Sequence, residues 1–159
     1  MGDARTRAYR NGALHAKGFP VADLSEHLDD PDCFVWVDLH RPTPEELHQV
    51  AGELGLHELA VEDALEPHQR PKLDHYDSHL FLSCHSADLD VDAGVLIRSE
   101  IDSFISERWL ITVRMDDRFD VDAVEARWDG SPDLAKYGVS FLLYGLLDVV
   151  IGQVPVRAR

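Results

Sequence analysis

Two short runs rich in apolar and β-prone residues flank Asn11-Gly12 in RTRAYRNGALHAKGF, and that dipeptide supplies both positive-φ positions of a type I′ turn. The pattern predicts a hairpin with strands near residues 6–10 and 13–17. Pro20 and Asp23 then open a short helical stretch that stops before the DDPD turn at residues 29–32. The compact run CFVWVDL follows, and residues 34–38 read as a buried strand.

Helical spacing takes over at Thr43-Pro44-Glu45-Glu46. Thr43 is placed as N-cap, Pro44 at the first helical position and Glu46 at the third, a capping box whose reciprocal hydrogen bonds satisfy otherwise orphan amides. A helix over Pro44–Leu54 with Gly55 as its stop is therefore expected, and a second over Glu58–Leu65 closed by Pro67. A loop leads to a strand around residues 79–86, VDAG marks a turn, and Val95–Ile105 and residues 109–113 read as strands paired across Ser106-Glu107-Arg108. Residues 120–128 have helical spacing. Ser131-Pro132-Asp133 predicts the start of a last helix, over residues 133–151. A hairpin, then strands interleaved with helices, then paired strands imply a mixed α/β sheet rather than a regular doubly wound one.

Composition narrows the function classes. The chain has 159 residues, of which 15 are Lys or Arg and 30 Asp or Glu, for a formal charge of −15. That is the size of one domain able to bury a real core, and so acidic a surface repels nucleic-acid backbones and anionic lipids while favouring cations or a basic partner. Cys33 and Cys84 form neither a disulfide framework nor a CxxC pair, which fits a reducing compartment and apolar packing of both thiols. The N-terminus lacks the apolar segment of a signal peptide, so a cytosolic location is the default. The longest apolar stretch, residues 141–151, is interrupted by Asp148 and falls far short of the ~20 residues a spanning helix needs.

Candidate chemistry sits on two helices. In ELAVEDALE and the Leu56 just before it, Leu56, Ala60, Val61, Ala64 and Leu65 share one arc, whereas Glu62, Asp63 and Glu66 fall within roughly 100° of each other on the other side. These carboxylates are either a solvated face or a cation site. Near a helix C-terminus they oppose the macrodipole unless a cation compensates. Leu59 also lies on the outward arc, as a partner surface would require. In the last helix apolar residues surround Asp148, whose carboxylate must then find a salt bridge, a cap or a bound cation. His75 and His79 would ligate zinc only on a helix; on the strand expected here they stand roughly 13 Å apart. No nucleophile elbow, P-loop, dinucleotide fingerprint, HExxH or EF-hand loop is present, so the chain reads as no enzyme.

The block VWVDLHRPTPEELHQVAGELGLHELAVEDALEPHQRPKLDHYDSHLFL, with the later LITVR strand and FLLYGLLDVV helix, resembles the N-terminal cytoplasmic domain of the CorA family of magnesium transporters over residues 5–151. The resemblance implies a layered α/β/α fold with a mixed sheet, and a single regulatory funnel domain over residues 1–159. It implies a homopentameric cation channel in the cell membrane, with this domain on the cytoplasmic side and the stalk and membrane helices lying beyond it; the fragment alone would be monomeric or weakly associated. The family's intersubunit sensor sites map onto Glu62, Asp63 and Asp148, with one further ligand from a neighbouring stalk. The implied ion is Mg²⁺, with Co²⁺, Ni²⁺ or Zn²⁺ as alternatives, because the zinc-transporting branch shares this domain. The sequence departs from the family after Asp148, where Val149 to Val154 replace the usual acidic and aromatic residues. The reading from another class is a free-standing metal-binding or metal-dependent hydrolytic protein.

Overall fold

The computed structural model describes residues 3–66 and 70–152. Seven strands form one sheet: β1 (Asp3–Arg10), β2 (Ala13–Lys17), β3 (Cys33–His40), β4 (Lys72–His75), β5 (Leu80–Asp90), β6 (Val95–Ile105) and β7 (Trp109–Arg114). Their spatial order is β2-β1-β3-β7-β6-β5-β4. Among the described residues only the central β3–β7 pair is parallel. The remaining neighbours are antiparallel, so the sheet is mixed as expected. The β1–β2 turn is the one the dipeptide demands, with Asn11 at φ 50° and Gly12 at φ 79°.

Strand alternation sends successive side chains to opposite faces, and helices cover both. Against the first face, α1 (Leu24–Asp29), α2 (Pro44–Leu54) and α3 (Glu58–Leu65) pack on Val35, Val37, Phe81, Phe104 and Ile111. Against the second, α4 (Val121–Asp129) and α5 (Val139–Gly152) pack on Phe34, Trp36, Ile101 and Leu110. The result is an α/β/α sandwich. The start of α2 carries the full capping box: Thr43 Oγ1 accepts from the Glu46 amide and Glu46 Oε2 from the Thr43 amide, at 3.2 and 2.8 Å.

Several expectations need correction. The last helix does not run unbroken from residue 133: residues Pro132–Tyr137 form a 3-10 turn, and Gly138 at φ 66° ends it before α5 starts. That φ suits glycine and not the residues around it, so the helical pattern is broken by backbone geometry rather than by polarity. Lys72–His75, which the sequence pattern predicts as loop, is an edge strand. His75 and His79 consequently flank a tight β4–β5 turn, in which the Tyr76 amide donates to the His79 carbonyl at 2.9 Å, and do not share one strand. The helix stop assigned to Pro67 lies outside the described residues.

Candidate metal centre

The sequence places carboxylates at the C-terminal end of α3, where the dipole penalises them, and the fold supplies the missing cation. Lys72, on the edge strand β4, donates to Asp63 and lies 3.2 Å from Asp74. The Lys72 ammonium is consequently held above its ordinary pKa, chiefly by the bond to Asp63. Glu62 is exposed one residue earlier, and Leu59 beside it is 58% exposed. Ala60, Val61 and Ala64 bury the opposite arc of the helix. The division of α3 into an apolar and an acidic side is therefore as expected.

Asp148 differs from the expectation. Instead of sitting inside an apolar sleeve it is about two fifths open, and Arg127 of α4 donates to it at 2.8 Å. Tyr144 and Ile151 of the same helix are also exposed, so one side of α5 faces outward. The general requirement that an acid on this helix find a partner is met by a salt bridge.

Glu62 and Asp63 belong to the layer on the first face of the sheet and Asp148 to the layer on the second. The fold brings Glu62 and Asp63 together and keeps Asp148 apart from them. Among the described residues no three His, Cys, Asp or Glu side chains converge on one point. Among the described residues the histidines add no centre either: His79 is buried, stacked against Tyr76, and burial lowers its pKa. Cys84 is a thiol that burial pushes up to about 11, which disfavours the thiolate a metal needs. As donors, Glu62, Asp63 and Asp148 suit a hard cation, and Mg²⁺ needs only one or two carboxylates because it keeps most of its waters.

A group that sequence reasoning missed lies on β6. Asp102 is 2% exposed, faces Ser83 of β5 and Val113 of β7 in register, and its Oδ1 accepts no hydrogen bond among the described residues. Burial pushes its carboxyl up to about 7, and nearby Glu100 pushes the same way; the Ser83 hydroxyl is close enough to oppose the shift in part, without the geometry of a hydrogen bond. The signal was available: alternation from Phe104 and Glu100 puts Asp102 on the inward face of SEIDSFI.

A mixed sheet between two helical layers, with acidic helix faces open on both sides, defines a class of α/β/α domain whose polar faces are turned outward. Residues 32–154 match the family described as CorA-like Mg²⁺ transporter protein, and the chain belongs to that family. It is 30% identical over 138 residues to YfjQ of Bacillus subtilis (strain 168), provisionally named a metal ion transporter, the match covering 86% of this chain and 41% of that protein. With the cobalt/magnesium transport protein CorA of Thermotoga maritima it shares 24% identity over 138 residues, 84% of this chain and 39% of the other. The chain thus spans about two fifths of the curated relatives it matches. The soluble domain of CorA from Methanocaldococcus jannaschii superposes with TM-score 0.66 at 14% identity, over 93% of this chain and 56% of that one. The cytoplasmic domain of ZntB from Vibrio parahaemolyticus does so with TM-score 0.55 at 15% identity, over 76% and 48%. These two likenesses establish the fold.

Proposed function

We propose that this chain is the cytoplasmic regulatory domain of a CorA-like divalent cation transport protein, and that Glu62, Asp63 and Asp148 sense the ion it transports. The domain spans residues 1–159 and is followed in the longer, membrane-embedded protein by stalk and membrane helices. The observation that supports this most directly is the separation of the carboxylates into opposite layers of the sandwich. A cation shared between them must bridge two chains, as in a ring of identical subunits such as a pentamer.

In this reading Lys72 and Arg127 hold Asp63 and Asp148 when the ion is scarce, and a divalent ion competes with these single positive charges. Bound ion draws neighbouring subunits together and favours the closed state; its loss returns Asp63 and Asp148 to Lys72 and Arg127 of their own chains, which removes the bridge and loosens the ring. Sensing is then separate from conduction, because a ligand shifts an equilibrium only through its differential affinity for the two states. The test is liposome flux through the full-length transporter and its Asp63→Asn variant at several internal Mg²⁺ levels, with Mg²⁺, Co²⁺, Ni²⁺ and Zn²⁺ compared outside. The variant should close less readily at high internal Mg²⁺ while keeping its ion preference. An unchanged inhibition curve would remove Asp63 from the sensor, and the external series identifies the ion.

A further inference from the structure

Beyond the carboxylates of α3 and α5, the first face of the sheet carries a cavity of about 770 Å³ where the β5–β6 ribbon runs past the helices. Its chemistry is polarised. Among its lining residues is Asp102, 2% exposed, whose Oδ1 has no hydrogen-bond partner among the described residues. The other acids of the wall are engaged: Glu100 faces His85 at 3.3 Å, and Asp116 accepts from Ser99 and from the Arg118 amide at 2.8 and 2.9 Å. Three arginines, Arg70, Arg98 and Arg118, line the same cavity.

Those arginines stand out in so acidic a chain. Arg5, Arg7, Arg10, Arg41, Arg114 and Arg127 each hold a carboxylate. Among the described residues, the guanidinium groups of Arg70, Arg98 and Arg118 hold none; that of Arg118 donates only to the Arg98 carbonyl, at 3.3 Å. Three unneutralised guanidinium groups beside a buried acceptor lacking a donor, with Leu96, Val113 and Met115 as apolar wall between, call for a ligand with three parts. One end must present N–H donors, the body must be flat and apolar, and the other end must be an anion suited to guanidinium forks. A nucleotide has all three, and among the bases guanine offers two adjacent N–H donors on one edge, the match for a carboxylate.

We propose that this cavity binds a guanine nucleotide, with its base edge on Asp102 and its phosphates on Arg70, Arg98 and Arg118. The overall charge of −15 does not forbid this, because at physiological ionic strength charges beyond about 8 Å are largely screened and within the cavity the three arginines offset Glu100, Asp102 and Asp116.

Isothermal titration of this chain in 0.15 M salt with EDTA tests the assignment, with GTP, ITP (which lacks the 2-amino group), ATP, guanosine and inorganic triphosphate as probes. GTP should bind saturably below about 0.1 mM, with each other probe at least about tenfold weaker. Arg98→Ala, an exposed change that leaves the core intact, should weaken GTP about tenfold and leave guanosine unchanged. Asp102→Asn, its fold checked by circular dichroism, should cut the preference for GTP over ITP to under about twofold. No saturable GTP binding up to 1 mM would overturn the proposal, a concentration about tenfold above the expected limit. Triphosphate or ATP binding as tightly as GTP, or an Arg98→Ala variant that binds GTP normally, would overturn it too.

Discussion

Asp38 and Asp102 are buried to the same depth on opposite faces of one sheet, at 1% and 2% exposure, against successive residues of β7. Asp38 pairs in register with Thr112 and Asp102 with Val113. On the second face the neighbours form a closed network. Arg114 donates to Asp38 from Nε at 3.0 Å and Nη2 at 2.9 Å, Thr112 donates at 2.7 Å, and Trp36 donates to Thr112 at 3.2 Å. On the first face Asp102 meets an apolar valine, an unpaired Ser83 hydroxyl and an open cavity. One strand thus separates a carboxylate whose charge is used to hold the fold together from one whose charge is a cost to it. Polar burial that is fully satisfied stabilises through its network, whereas polar burial left open costs stability.

The largest effect should come from the closed side. Asp38→Ala strands the Arg114 guanidinium, 7% exposed, without its counter-charge and should cost about 3–5 kcal/mol in denaturant titrations. Asp102→Val removes an unpaired acid and should raise stability at pH 8. Loss of stability in both variants would show that Asp102 has a partner after all and would end the contrast.

The pH dependence isolates the open side. The Asp102 carboxyl keeps its proton to about pH 7 when folded but releases it near 3.8 when unfolded, so between these values the folded chain binds more protons. Its contribution is complete below about pH 4 and is lost as pH rises to 7, by up to about 4 kcal/mol. His79, whose pKa burial lowers, works in the opposite sense: its contribution is complete above the unfolded histidine value and falls as the solution becomes more acid. Unfolding free energies of wild type and Asp102→Asn at pH 5 and 8 separate the two. The loss from pH 5 to 8 should be present in wild type and absent in the variant.

A smaller effect compares packing on the two sides. A Cβ on Gly145 of α5 would meet Trp128 Nε1 at 2.5 Å, and that ring is fixed by its bond to the Leu142 carbonyl at 3.1 Å. Gly145→Ala should therefore cost about 1–3 kcal/mol. Gly52 of α2 has open space around it, so Gly52→Ala should gain about 0.5–1 kcal/mol from helix propensity and reduced freedom of the unfolded chain. Melting temperatures that shift in opposite directions are the expected outcome.

What could be read from the sequence follows from how local its cause is. The Thr43–Glu46 capping box, the Asn11-Gly12 turn and the two-sided pattern of Glu58–Leu65 depend on neighbours a few residues away, and all three stand as expected. The edge strand Lys72–His75 depends on pairing with Leu80–Ser83, and the break at Gly138 on a backbone angle, so neither shows in hydrophobic periodicity. The carboxylates divide in the same way. That Asp63 needs a cation followed from its place on the helix, but that Lys72 supplies it required the hairpin turn of β4 onto β5. Arg127, which holds Asp148, comes from a neighbouring helix packed by the Trp128 contacts, a tertiary fact that apolar surroundings in sequence concealed.

The smallest stability effect is expected at the proposed sensor, and its smallness is informative. The Asp63–Lys72 and Asp148–Arg127 pairs are each roughly a quarter to a half exposed, and pairs in that setting contribute about 0–1 kcal/mol. Asp63→Asn and Asp148→Asn should therefore leave the melting temperature of this chain within a few degrees of wild type, in contrast to Asp38→Ala. If these acids are held for a cation shared with another chain, the isolated chain should also bind Mg²⁺ only weakly by titration calorimetry, because the second layer's carboxylate is out of reach of the first. Tight Mg²⁺ binding by the isolated chain, abolished by Asp63→Asn, would place a whole site within one subunit and remove the need for a bridge. Weak binding with intact stability, set beside a changed Mg²⁺ response of the full-length protein in the liposome assay, separates acids kept for ion binding from acids such as Asp38 that hold the sheet together.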